Sequence, residues 1–187
     1  MRFLLILLIL PTLSVAEPRT VLPENVLSAI TADWNNDGQK DRAILVDNPI
    51  EGVAELYIYT GEDRGFFEHS STPEIAWSGS MWGQQPSLEI NSDGDLLVKS
   101  TNHGMGRTRW FQTLTITYRN GAFVVARFNH SYYDSLDPND NGECDINLLS
   151  GRGLTLRGEE TPRDIILPAR VIPASEWNTD IFPEECF

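Results

Sequence analysis

Residues 110–118 constrain the fold more than any other stretch of the chain. Trp110, Gln112, Leu114, Ile116 and Tyr118 fall on one side of an extended strand, and Phe111, Thr113, Thr115 and Thr117 on the other. Asn120-Gly121 comes next. This pair suits a two-residue hairpin because both central positions of a type I′ turn need positive φ. Residues 122–128 then run back. A chain with this hairpin at its middle must place antiparallel sheet there. The other apolar runs agree. Residues 26–32, 42–46, 55–60, 87–90, 95–100 and 164–167 are short and rich in β-branched or aromatic residues, as strands are. Turn residues such as Asp47-Asn48-Pro49, Gly61 and Asn91-Ser92-Asp93-Gly94 separate them. No stretch keeps a 3.6-residue period, so little helix is expected. The expected fold is mostly β, a single antiparallel sandwich- or barrel-like domain over residues 17–187.

Residues 1–16 read as an export signal. Arg2 supplies the positive start, residues 3–10 are an unbroken apolar run, and Ser14-Val15-Ala16 is a small-x-small cleavage site. An apolar run of eight is far short of the roughly 20 residues that span a bilayer, and no longer run follows. The expectation is a cleaved chain, periplasmic or secreted, with no transmembrane segment. Its two cysteines, Cys144 and Cys186, leave one intramolecular pairing, a disulfide of the kind an oxidising compartment preserves.

One constellation carries chemistry. Asp33-Trp34-Asn35-Asn36-Asp37-Gly38-Gln39-Lys40-Asp41 fits D-x-N-x-D-G-x-x-D. Alternate residues at the start of a tight loop can aim oxygens at one centre, and Gly38 allows the sharp turn. Gln39 can add its backbone carbonyl and Asp41 a further carboxylate. This is an all-oxygen shell suited to Ca²⁺, with Asp33, Asn35, Asp37, Gln39 and Asp41 as ligands. An EF-hand would need a bidentate Glu at the twelfth position, where this chain has Ile44, and helical flanks where this chain reads as strand. The arrangement resembles the FG-GAP/VCBS repeat family, whose integrin-type calcium loops join two β-strands. The resemblance covers mainly residues 26–60, and the apolar strand Ala43-Ile44-Leu45-Val46 after the loop belongs to it. It implies calcium on the same side chains.

Residues 137–145 repeat the spacing as D-x-N-x-N-G-x-x-D, with Asp137, Asn139, Asn141, Glu143 and Asp145 at ligand positions. Two carboxylates replace three, so weaker calcium binding is expected there, or a bare turn held by the disulfide through Cys144. Asp33 and Asp137 lie 104 positions apart (137 minus 33). Propellers of repeated blades need a regular array. A complete propeller is therefore not expected in this chain.

Charge limits the partners. The 27 acidic residues outnumber 14 basic ones, for a net charge of −13. Nucleic acid is excluded as a partner, because phosphate binding needs a dense basic surface. No catalytic set stands out. His69, His103 and His130 form no metal pair and read as loop or surface residues. Ser78-Gly79-Ser80 does not complete a nucleophile elbow, and Gly104-Met105-Gly106-Arg107 lacks a phosphate-loop lysine. Arg107, Arg109, Arg119 and Arg127 read as a solvated face. Trp77, Trp82 and Trp110 serve either as core or as a stacking surface for sugar rings. The leading expectation is an exported, calcium-stiffened β protein that binds or supports and does no chemistry. The alternatives are a carbohydrate- or envelope-protein-binding module using exposed aromatics and, further off, a hydrolase of an exported polymer.

Overall fold

The alternation seen in the sequence becomes two antiparallel sheets in the structure, a computed structural model that describes residues 21–186. The export signal at 1–16 lies outside the described residues. The first sheet runs in chain order through β1 (Val26–Ala32), β2 (Asp41–Asn48), β3 (Val53–Glu62) and β4 (Gly65–Trp77). The second sheet is built from β5 (Ser87–Ile90), β6 (Leu96–Asn102), β7 (Thr108–Arg119), β8 (Ala122–Asp134), β9 (Asn141–Asn147), β10 (Arg152–Arg157) and β11 (Arg163–Ile166), each paired with the next. A two-residue strand, β12 (Ile172–Pro173), joins the same sheet on β8. Among the described residues the only helical pieces are single 3₁₀ turns, at Pro23–Asn25, Ala174–Glu176 and Glu184–Cys186. Neither sheet closes on itself, so the domain is neither a barrel nor a propeller.

Both sheets line one core. Ala43 and Leu45 of β2, Leu56 and Ile58 of β3 and Ile75 of β4 meet Leu96 and Val98 of β6, Leu114 and Ile116 of β7 and Val125 and Phe128 of β8. Leu114 and Ile116 are buried while their neighbours along β7 are not, which fixes register: a one-residue slip would turn both to solvent. The hairpin at Asn120-Gly121 forms as expected. Asn120 and Gly121 have φ of 51° and 83°, and β7 pairs with β8 along its whole length.

Two irregularities interrupt the ladders. β4 is an edge strand and carries Pro73 at a bulge opposite β3, where the missing N–H breaks no ladder bond. In β8 the register against β7 slips at Ala126, and the neighbour on the other side of β8 changes there. Arg127 pairs with Asn147 of β9, whereas Val125 pairs with Ile172 of β12. The Ala126 carbonyl at the slip accepts the Leu148 N–H at 2.9 Å.

The sequence reads all three histidines as loop or surface residues, and His130 departs from that reading. It sits within β8, stacked between Phe128 and Trp110 and touched edge-on by Phe182. Burial pushes its imidazole down from 6.5 to about 4. A His neutral in the fold but charged in the unfolded chain stabilises fully above pH 6.5, and this contribution is lost as pH falls towards 4. The expected loss across that window is about 3 kcal/mol. Urea titrations from pH 7 to 4 check it. A His130→Phe variant should lack this component of the slope, and an unchanged slope would refute the assignment.

Candidate metal centre

The loop predicted at 33–41 lies between β1 and β2, and the pair Ala32–Asp41 closes the hairpin beneath it. Its side chains fold back onto its own backbone. The Asp37 N–H donates to Asp33 Oδ1 at 3.2 Å and to Asn35 Oδ1 at 3.0 Å. The Gly38 N–H donates to Asp33 Oδ2 at 3.0 Å, and the Gln39 N–H to Asp37 Oδ1 at 2.8 Å. Asn35 Nδ2 donates to Asp37 Oδ2 at 2.8 Å. Oxygens of Asp33 and Asn35 that share one N–H must lie near one another, so the structure brings Asp33, Asn35 and Asp37 together. Asn36 and Gly38 have positive φ of 59° and 87°. The loop turns there, and Asn and Gly are the residues that tolerate that backbone best.

Asp41 is placed differently from the other three. It is fully buried, at 0% exposure, as the first residue of β2. Its Oδ2 accepts the Trp34 N–H at 2.8 Å, and its Oδ1 accepts the Gly61 N–H at 3.1 Å. Each carboxylate oxygen has capacity for a second partner. Asp41 thus clamps the loop to β3 from below. Gly61, which the sequence reads as a turn residue, lies within β3 for a close approach instead. A Cβ there would stand 2.3 Å from the Lys40 carbonyl oxygen.

The donor set fits a hard cation with one restriction. Among the described residues, no three His, Cys, Asp or Glu side chains gather as a metal cluster. An ion at this loop would draw on the Asp33 and Asp37 carboxylates and the neutral Asn35 oxygen, with main-chain carbonyls completing its shell. Mixed oxygen donors of this kind are what Ca²⁺ accepts, and a soft or imidazole-seeking metal does not.

The second predicted loop is not a loop. Asn141–Asn147 form β9, paired on both sides by β8 and β10. Asn141 and Asp145 are thus four residues apart along a strand, about 13 Å, beyond a common ion. The Glu143 carbonyl lies between two ladders. Asp145 is engaged by Arg127 through two hydrogen bonds of 2.5 Å, and Asn141 donates to the Pro138 carbonyl. Asp137 and Asn139 remain in the turn, with the Asn139 N–H on Asp137 Oδ1. The residue that organises this turn is Asp134, at the end of β8. It is buried, accepts the Leu136 and Asp137 N–H groups and pairs with Arg107. The hydrogen bond from Arg107 holds its carboxyl below the ordinary value. Arg107 and Arg127 are exposed, as the sequence reading has them, and each is also an ion-pair partner of an aspartate. The expected disulfide is present, joining Cys144 of β9 to Cys186, with both residues fully buried.

The aromatic candidates separate. Trp77 and Trp110 are half-buried and meet edge to face at 5.4 Å. Trp82 is 98% exposed, in the loop between β4 and β5, with Met81 and Met105 also exposed. Among the described residues, no helix is long and apolar enough to cross a membrane.

No family model, curated protein or solved structure matches this chain.

Proposed function

We propose that this chain is an exported β protein that binds one Ca²⁺ at the loop 33–41 and acts by binding or support and not by chemistry. The observation that carries the reading is the convergence of Asp33, Asn35 and Asp37 on the amides of residues 37–39, above a carboxylate clamp at Asp41. The spacing resembling integrin-type calcium loops supports the same reading. The apolar run behind Arg2 and the buried disulfide support export. The ion would join three side chains held now only by local hydrogen bonds, and would stiffen the β1–β2 connection. Thermal melting tests it. Calcium at a hundredfold its Kd should add about 2.7 kcal/mol, or about 5–10 °C for a domain this size. Chelator should reverse the gain, and Asp37→Ala should abolish it. A melting temperature indifferent to calcium and chelator contradicts the proposal.

A second reading, a carbohydrate- or envelope-binding module, is favoured by Trp82 alone. A tryptophan left almost wholly in solvent is a ready stacking platform.

A further inference from the structure

Both methionines among the described residues lie in one place. Met81 sits in the connection from β4 to β5, and Met105 in the connection from β6 to β7. Methionine ordinarily fills gaps in a core, but these two are half exposed, at 50% and 53%. The two connections touch at Gly104, where a Cβ would stand 3.6 Å from the Met81 sulfur and 3.3 Å from its methyl carbon. Gly104 is the residue between His103 and Met105. His103 is exposed, with its ring T-shaped against Phe111 at 4.8 Å. Among the described residues its imidazole makes no hydrogen bond or ion pair.

The backbone under these side chains is held by two amides. Gln84 is buried; its N–H donates to the Met81 carbonyl at 3.0 Å, and its Nε2 to Asn102 Oδ1 at 3.0 Å. The same Oδ1 accepts the Met105 N–H at 2.9 Å, and Asn102 Nδ2 donates to the Met105 carbonyl at 2.9 Å. Gln84 and Asn102 thus tie the two methionine backbones to each other. The separations permit a shared ion. Neighbouring Cα atoms are about 3.8 Å apart, so the Met81 sulfur lies within about 9 Å of the Cα atoms of both His103 and Met105. The His103 or Met105 side chain, with metal bonds of about 2.0–2.3 Å on either side of an ion, spans that distance.

We infer that Met81, His103 and Met105 bind one Cu(I) ion through two thioether sulfurs and one imidazole nitrogen. Thioethers are soft donors that select Cu(I), whereas Ca²⁺ takes oxygen. The three donors are neutral, which suits a monovalent ion better than a divalent one. A chain with 27 acidic residues places none in 78–86 or 102–108, and Arg107 adds a positive charge to the second connection. A hard divalent ion finds no carboxylate in either connection. Zn²⁺ would want further imidazoles or thiolates, and here one imidazole stands alone with no free cysteine among the described residues. The site shares no residue with the 33–41 loop, and its test does not depend on calcium.

NMR of the oxidised full chain in chloride-free buffer tests the inference with Ag(I), a redox-stable stand-in for Cu(I). The Met81 and Met105 methyl signals and the His103 ring signal are identified by their absence in Met81→Leu, Met105→Leu and His103→Gln. Leu keeps the apolar volume, so the Leu variants should melt as the parent does. One equivalent of Ag(I) should shift all three signals, and one of Ca²⁺ or Zn²⁺ none of them. Each Leu variant should hold Ag(I) about tenfold more weakly or worse. Anaerobic competition for Cu(I) against a colorimetric chelator should rank parent and variants in the same order. The inference is overturned if Ag(I) leaves either methyl signal in place, or if Zn²⁺ moves the same signals. It is equally overturned if either Leu variant binds as tightly as the parent, or if the parent holds no Cu(I).

Discussion

Asp41→Ala is expected to destabilise the protein by about 3–5 kcal/mol, because two buried N–H groups would lose a carboxylate acceptor at once. The Trp34 and Gly61 amides lie in the core-facing base of the loop, where Asp41 itself is out of contact with solvent. Water cannot replace the lost oxygens without opening the junction between β2 and β3. Asp41→Asn keeps one carbonyl acceptor but turns an N–H₂ donor towards the other amide, so it should recover only part of the loss. Urea denaturation in the presence of chelator isolates this effect from any ion. In the same buffer the exposed Asp37→Ala should cost less than about 1 kcal/mol, as a surface substitution in a loop does. A loss under about 1 kcal/mol for Asp41→Ala would show that the clamp is not structural.

Removing the disulfide is expected to cost nearly as much, and for a different reason. Cys144 and Cys186 are 42 positions apart, and closing a loop of that length lowers the entropy of the unfolded chain by about 4 kcal/mol at 25 °C. The paired variant Cys144→Ala with Cys186→Ala, compared with the oxidised chain by urea midpoint, should show a loss of about 3–4 kcal/mol. It should also free the segment after β12 from β9. A paired variant within about 1 kcal/mol of the parent would mean that strand pairing and the burial of Trp177 hold that segment unaided.

The parts of the fold that were legible in the sequence are those set by neighbouring residues. The β7–β8 hairpin is dictated by alternation plus Asn120-Gly121, and the φ values of those two residues are the ones a type I′ turn requires. The position of the β1–β2 loop is dictated by its run of Asp, Asn and Gly. Distant contacts were not legible. Nothing near Asp41 announces that one of its oxygens will meet the amide of Gly61, twenty residues on. β4 was hidden by Pro73, which an edge strand with a bulge accommodates. At 137–145 a signal was present and outweighed. Gly142, Cys144 and Ile146 alternate with Asn141, Glu143 and Asp145, a strand pattern laid over a metal-loop pattern. Pairing on both sides decided in favour of the strand. The C-terminal segment meets β9 through the disulfide, which the count of two cysteines announced, whereas the slip in β8 beside it is not encoded by local sequence.

Calcium stoichiometry tests the central claim most directly. Isothermal titration of the oxidised chain should give one ion per chain. Asp37→Ala should abolish binding, and Asp137→Ala should leave both stoichiometry and affinity unchanged. No binding by the parent chain, or binding that survives Asp37→Ala and disappears with Asp137→Ala, would contradict the assignment of the metal centre to the β1–β2 loop.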